Sequence, residues 1–150
     1  MGIISSASGA SCWKGLDYYK SKKIKNIKKL NDMEYTSIVS GTEKYNVYLN
    51  LKNPRKSTCN CPLANGKRII CKHIVATYFS VVPDSAKEFE DEQTRLQEEY
   101  EEYQKNEYKN AIKFINKMSK KELIEELVYI FNYAPEWVYD DFIKRNDIKG

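Results

Sequence analysis

The sequence predicts an α+β protein: a small N-terminal module built on a β-hairpin, residues 1–83, followed by a helical C-terminal region, residues 84–150. Three observations predict it. Tyr45, Val47, Leu49 and Leu51 alternate strictly with Lys44, Asn46, Tyr48 and Asn50, the period-two pattern of a half-buried strand. Beyond Pro83 the chain carries helix-start signals and no strand alternation. The charge also changes sign there: 14 Lys+Arg against 4 Asp+Glu before Pro83, but 11 against 17 from Asp84 onward, so the net +4 averages two different halves.

Ser11 to Lys20 places Trp13, Leu16 and Tyr19 at helical spacing and predicts a short helix, closed by a Lys-rich run. Ile24, Ile27 and Leu30 recur every three residues, which fits neither strand nor helix cleanly. Tyr35 to Val39 is β-prone and Ser40-Gly41-Thr42 turn-prone, so residues 34–51 read as a hairpin. Asn53-Pro54 breaks it.

In the C-terminal half, Ser85 with Glu88 and Ser119 with Glu122 both match the capping box, in which each side chain satisfies a free amide of the first turn. Met118 and Leu123 add the apolar pair that flanks such a cap. Pro135 suits the first turn of a last helix bearing Trp137, Val138 and Phe142. Between Glu88 and Glu102 eight acidic residues surround a sparse stripe of Phe89, Leu96, Tyr100 and Tyr103. That pattern describes either a solvated helix or one that docks on the basic half or on a partner.

No stretch approaches 18 apolar residues, so no membrane-spanning helix is expected. The first residues lack the charged and apolar regions of a secretory leader, which predicts a soluble, cytoplasmic protein in a reducing compartment. There, thiols serve metals or catalysis before disulfides.

Three of the four Cys and the only His fall within fifteen residues, as Cys59, Cys61, Cys71 and His73. Residues i and i+2 of a strand share a face, so Cys59 and Cys61 can present two thiolates together. The intervening chain holds Pro62 and Asn65-Gly66, a dipeptide suited to a tight reversal. Cys71-Lys72-His73 supplies the second pair, with Ile74, Val75, Tyr78, Phe79 and Val82 continuing as a helix. Any one of these Cys alone reads as a small core residue, but four ligand-type residues so close together favour tetrahedral zinc. A catalytic Cys–His pair would need an activated thiolate and an open cleft, and no other sequence feature supplies them. Four protein ligands leave no position for a reactive water, which makes one structural Zn²⁺ the expected cofactor and a non-enzymatic protein the expected class. Cys12 stands apart and reads as a packed thiol beside the first helix.

The pattern Cys59-x-Cys61-x9-Cys71-x-His73 resembles the SWIM-type zinc finger, defined by CxC followed after a variable gap by CxH. Cys59-Asn60-Cys61-Pro62 and Cys71-Lys72-His73-Ile74-Val75-Ala76 are similar to the residues around the ligands in bacterial members, with the core motif at 45–82. Upstream, Trp13 to Tyr19, Lys23-Ile24 and Val39 to Val47 resemble the family's lead-in of a Gly…Tyr-Tyr segment and a V-x-G…Y-x-V hairpin, so the likeness spans roughly residues 10–83. It implies a ββα-like zinc core with Cys59, Cys61, Cys71 and His73 as ligands. It also implies DNA binding or protein interaction, since members accompany SWI2/SNF2-type helicases, transposases and signalling proteins. This chain has no helicase, transposase or kinase segment, so a partner enzyme is expected on a separate chain.

Lys20, Lys22, Lys23, Lys25, Lys28 and Lys29 put six ammonium groups in ten residues, and Lys52, Arg55, Lys56, Lys67, Arg68 and Lys72 surround the zinc motif. Lysines interleaved with Tyr and Trp suit backbone-type contacts to DNA or RNA, with Lys22, Lys23, Lys25, Arg55, Lys56, Lys67, Arg68 and Lys72 the candidate contacts. Equally, lysines solubilise exposed strands, and Lys67, Arg68 or Lys72 can offset the negative charge of a three-thiolate zinc centre. With only two Arg in this half, any nucleic-acid contact is expected to be sequence-independent. The alternative is an adaptor whose acidic, Tyr-bearing tail or apolar strip near Trp137 docks a helicase-type or other partner enzyme; no small-molecule substrate is expected.

Overall fold

The computed structural model describes residues 2–148 and resolves two compact units, Met1–Thr94 and Arg95–Gly150. The first unit begins with a single-turn helix α1 (Ile3–Ser6) and helix α2 (Gly9–Lys20), whose N-cap Ser8 accepts from the Ser11 amide at 3.2 Å. Four antiparallel strands follow in sequence order, β1 (Ile24–Asn31), β2 (Glu34–Ser40), β3 (Lys44–Asn50) and β4 (Thr58–Cys59). A short 3-10 turn at Pro54–Lys56 joins the last two. Helix α3 (Lys72–Val81) packs against α2 and the sheet.

The expected hairpin is present, with Val39 opposite Tyr45, Ser37 opposite Val47 and Tyr35 opposite Leu49. Val39, Tyr45, Val47 and Leu49 are buried and turn inward, where they meet Ile3, Leu16, Ile74, Val75 and Phe79 in one core. Because side chains alternate, the pairs Thr36–Tyr48 and Ile38–Asn46 belong to the opposite, solvent face.

The three-residue spacing of Ile24, Ile27 and Leu30 is explained by a bulge in β1. Lys25 pairs with Ile38 and Lys28 with Thr36, so one extra residue lies on β1, and Asn26 takes φ 50° to accommodate it. The phase of the strand shifts there, and Ile27 and Leu30 end exposed rather than in the core.

Helices α2 and α3 approach closely at Gly15. A Cβ at that position would lie 2.6 Å from Val75 Cβ and 3.1 Å from the Lys72 carbonyl oxygen. Only a residue without a side chain permits that crossing.

Pro83 opens helix α4 (Pro83–Ile115). Because the helix already begins there, Ser85 does not form the expected cap: its hydroxyl donates to the Val82 carbonyl at 2.6 Å. Ala86 and Phe89 are buried in the first unit, Trp13 meets Phe89 edge-on at 5.3 Å, and Lys20 pairs with Glu90. The start of the acidic helix therefore docks on the N-terminal module, while Tyr100 and Tyr103 further along are exposed.

In the second unit the Ser119–Glu122 capping box forms at helix α5 (Lys120–Tyr133), and Pro135 is the N-cap of helix α6 (Glu136–Arg145). Phe131 packs against Tyr139 and Phe142, at 5.5 and 4.9 Å between ring centres. No residue of α5 or α6 is buried.

Candidate metal centre

Cys59 is placed by the sheet: β4 pairs with β3 so that Cys59 lies opposite Val47. Asn60 extends that pairing with its side chain, since the Asn46 amide donates to Asn60 Oδ1 at 2.8 Å and the Asn60 amide donates to the Asn46 carbonyl at 3.3 Å. The chain then turns at once. Cys61 offers its carbonyl to the amides of Ala64 and Asn65, and Gly66 at φ 69° completes the reversal expected of Asn65-Gly66. Cys71 is the N-cap of α3 and His73 stands in its first turn.

The four ligand atoms lie within 4.8 Å of one another, and all four residues are buried. His73 Nδ1 is 3.6 Å from Cys59 Sγ and 3.9 Å from Cys71 Sγ. Zinc–sulfur and zinc–nitrogen bonds of the usual lengths at tetrahedral angles separate neighbouring N and S ligands by about 3.6 Å, so the cluster has the dimensions of a zinc site. Soft sulfurs and one imidazole are the donor set that zinc prefers.

Electrostatics agree. Cys71 is drawn well below the ordinary thiol range by the Cys59 thiol first, then by His73 and by the Ile74 and His73 amides at the open end of α3, against burial, which raises it. Cys59 is pushed up, chiefly because it is the partner that donates to Cys71, and by burial as well. Deprotonated, three thiols and an imidazole so close together suit a divalent cation, and Zn²⁺ with three thiolates sums to −1.

His73 is held by aromatics. The Tyr45 ring stacks on it at 4.4 Å with 21° between planes, and Tyr18 meets it edge-on at 5.3 Å. Its Nε2 is buried with no hydrogen-bond partner, so rings take the place of the carboxylate or carbonyl that usually orients a zinc-binding imidazole. Behind it, Thr77 donates to the His73 carbonyl at 2.9 Å and Ser37 donates to Thr77 at 2.7 Å, tying the sheet to α3.

Residues 45–81 match the family model of the SWIM zinc finger. The chain carries a SWIM zinc finger. Its Cys₃His cluster has the donors and dimensions to hold one structural zinc, and a SWIM finger is a binding module rather than a catalytic one. No curated protein and no solved structure matches the chain. The matched segment contains all four ligand residues and Tyr45, while Gly15 and Tyr18 precede it and still pack against the finger.

Cys12 lies outside the SWIM cluster. It is buried, its thiol faces the Ile4 carbonyl at 3.8 Å, and burial alone raises its pKa.

The candidate nucleic-acid contacts fall into two groups. Lys23 and Lys72 both lie over the Tyr18 ring, at 4.4 and 4.6 Å from its centre, and Tyr18 in turn meets His73 of the cluster. Lys22 occupies the turn before β1 at φ 52°. Arg55, Lys56, Lys67 and Arg68 together line a cavity of about 500 Å³ with Tyr48, Thr58 and Gly66. Those last three residues also line a groove of about 640 Å³ across the solvent face of the sheet, with Asn26, Lys28, Thr36, Ile38, Asn46, Asn60 and Asn65 along it. Lys25 pairs with Ile38 and so belongs to the same face. The groove was not legible in the sequence, because it gathers residues from four strands and the loop between the ligand pairs. Among the described residues no carboxylate lines either cavity.

Proposed function

We propose that this SWIM finger is a non-enzymatic, cytoplasmic nucleic-acid-binding module that acts as an accessory to a larger enzyme. The observation that carries the reading is a pair of adjoining cavities on the solvent face of the sheet that share Tyr48, Thr58 and Gly66. One gathers Arg55, Lys56, Lys67 and Arg68, the other is lined by amides and Lys28, and among the described residues no carboxylate lines either; Glu34, behind Tyr48, is engaged by its hydroxyl. Cations grouped in this way displace counterions from a phosphate chain and so favour anionic polymers. Both arginines of the basic half are here.

The zinc organises this surface. Between Cys61 and Cys71 the chain carries Asn65, Gly66, Lys67 and Arg68 to the groove, and the ligand pairs at its two ends set the path of that loop.

The test is fluorescence anisotropy of labelled DNA and RNA oligonucleotides titrated with zinc-loaded protein at several salt concentrations. Affinity should fall steeply as salt rises, and R55A and R68A should each reduce the slope of log K against log salt by about one. Absence of binding to any oligonucleotide at low salt would refute the reading.

A second reading, an adaptor for a partner enzyme, rests on the second unit. There Leu127, Val128, Tyr129, Tyr133 and Trp137 are exposed, and α5 and α6 bury nothing. Exposed apolar surface of this kind marks protein-binding sites. Loss of a partner enzyme from affinity capture upon W137E substitution would support it, and unchanged capture would exclude that surface.

A further inference from the structure

We propose that the groove takes a single strand of nucleic acid, with one base stacked on Tyr48; the proposal rests on the nucleic-acid reading above and names its substrate. Tyr48 is the aromatic residue common to both cavities, half-buried at the junction between the cationic end and the amide-lined end. Its hydroxyl is already engaged. It donates to Glu34 Oε1 at 2.6 Å and accepts from Asn50 Nδ2 at 3.1 Å, while Asn50 Oδ1 accepts from the Asn53 amide at 2.7 Å. The ring is thus fixed before any ligand arrives, and what it has left to offer is its π surface. A pre-set ring loses little freedom on binding. Glu34, the nearest carboxylate in this network, is engaged by Tyr48, Asn50 and Asn31 together.

Along the amide-lined end, Asn60 spends its Oδ1 on the Asn46 amide and keeps its Nδ2 donor, while among the described residues no hydrogen bond engages the side chains of Asn26, Asn46 or Asn65. Amides of this kind match the donor and acceptor edges of bases.

These groups sit within a groove of the sheet, not on a protruding helix or ribbon. A duplex shows its base edges only to an element that enters one of its grooves, whereas a single strand can lay splayed bases on a sheet face. A stacking ring between phosphate-binding cations and free amides therefore fits an unpaired strand: phosphates toward Arg55, Lys56, Lys67 and Arg68, a base on Tyr48, and neighbouring base edges toward the asparagines.

The test compares a labelled 12-nucleotide strand with the duplex of the same sequence on the full zinc-loaded chain, using wild type, Y48A and Y48F. The single strand should bind at least tenfold more tightly than the duplex. Y48A should weaken single-strand binding about tenfold with the salt slope unchanged, and Y48F should lose less than Y48A, since it keeps the stacking ring and loses only the hydroxyl bonds that pre-set it. A wild-type measurement guards against misfolding of Y48A: a strand carrying 5-bromodeoxyuridine, photo-crosslinked and mapped by mass spectrometry, should mark Tyr48. Equal or tighter binding of the duplex, or crosslinks that all fall outside the groove, would overturn the proposal while leaving nucleic-acid binding intact. Failure of both strand and duplex to bind would instead overturn the reading on which it rests.

Discussion

The Tyr45 ring lies on the His73 imidazole at 4.4 Å, nearly parallel, and the two residues come from different elements, β3 and the first turn of α3. With Nδ1 turned to the sulfurs and Nε2 without a partner, this stack and the Tyr18 edge are what fix the ring plane. Groups that orient a metal-bound histidine typically change metal affinity 10–100-fold when removed. Y45A is accordingly expected to lower zinc affinity by about tenfold or more, and Y45F to keep it, because the contact is made by the ring. Chelator competition measures the affinity, and the visible spectrum of the cobalt-substituted protein reports whether tetrahedral geometry survives.

Gly15 sets the distance between α2 and α3. A methyl group there meets Val75 Cβ and Cγ1 at 2.6 Å, and neither can retreat, because Val75 is fully buried against the sheet. Overpacking of this kind costs about 1–3 kcal/mol. G15A should lower the unfolding free energy by that amount, read as a lowered denaturant midpoint at unchanged slope, while the zinc content stays at one per chain. An unchanged midpoint would show that the helices separate freely.

These two contacts also mark what was legible in the sequence. Ligand pairs two residues apart, the alternation through β3 and the Ser119 cap are local patterns, and local patterns survive without a structure. Gly15, Tyr18, Gly41 and Tyr45 were visible as parts of a family likeness, but not what they do. Their roles depend on contacts across tens of residues: Gly15 on Val75, Tyr18 and Tyr45 on His73, and Gly41 on Tyr18. The β1 pattern stayed ambiguous because the bulge at Asn26 changes its period midway, and such a bulge is defined only by pairing with β2. The Ser85 cap does not form because Pro83 is itself compatible with a first turn, so the helix starts three residues before the Ala86 that such a cap implies. The groove escaped altogether, as it belongs to the outward side of a sheet that exists only once its strands pair.

The four cysteines should separate cleanly on substitution. C12A removes a thiol with no role in the cluster, and one zinc per chain should remain, at a stability cost of about 1 kcal/mol from the lost packing. C71S removes both a ligand and the thiolate favoured by the α3 amides, and should abolish stoichiometric zinc. Structural zinc contributes on the order of 10 kcal/mol to folding of such a module, so C71S should also lose the β signal of the first unit, leaving helical circular dichroism from the second. Native mass spectrometry read beside circular dichroism distinguishes these outcomes. Retention of zinc by C71S would remove it from the ligand set.

Glu34 gives the sheet a pH dependence of known sign. Its carboxyl is held below the ordinary value of 4.5, first by the Tyr48 hydroxyl and then by the Asn31 amide, both of which donate to the charged form. A carboxylate favoured in the folded state binds fewer protons there than in the unfolded chain. Its contribution is therefore complete above about pH 4.5 and is lost as the pH falls through the lowered folded value. Removing the first donor should reverse part of the shift: in Y48F the Glu34 pKa, followed by NMR of its side-chain carboxyl carbon, should rise toward 4.5. The same substitution frees one acceptor position on Glu34, leaving Asn50 and Asn31 as its remaining donors. An unshifted Glu34 in Y48F would mean that the Asn31 and Asn50 amides suffice to hold its carboxylate.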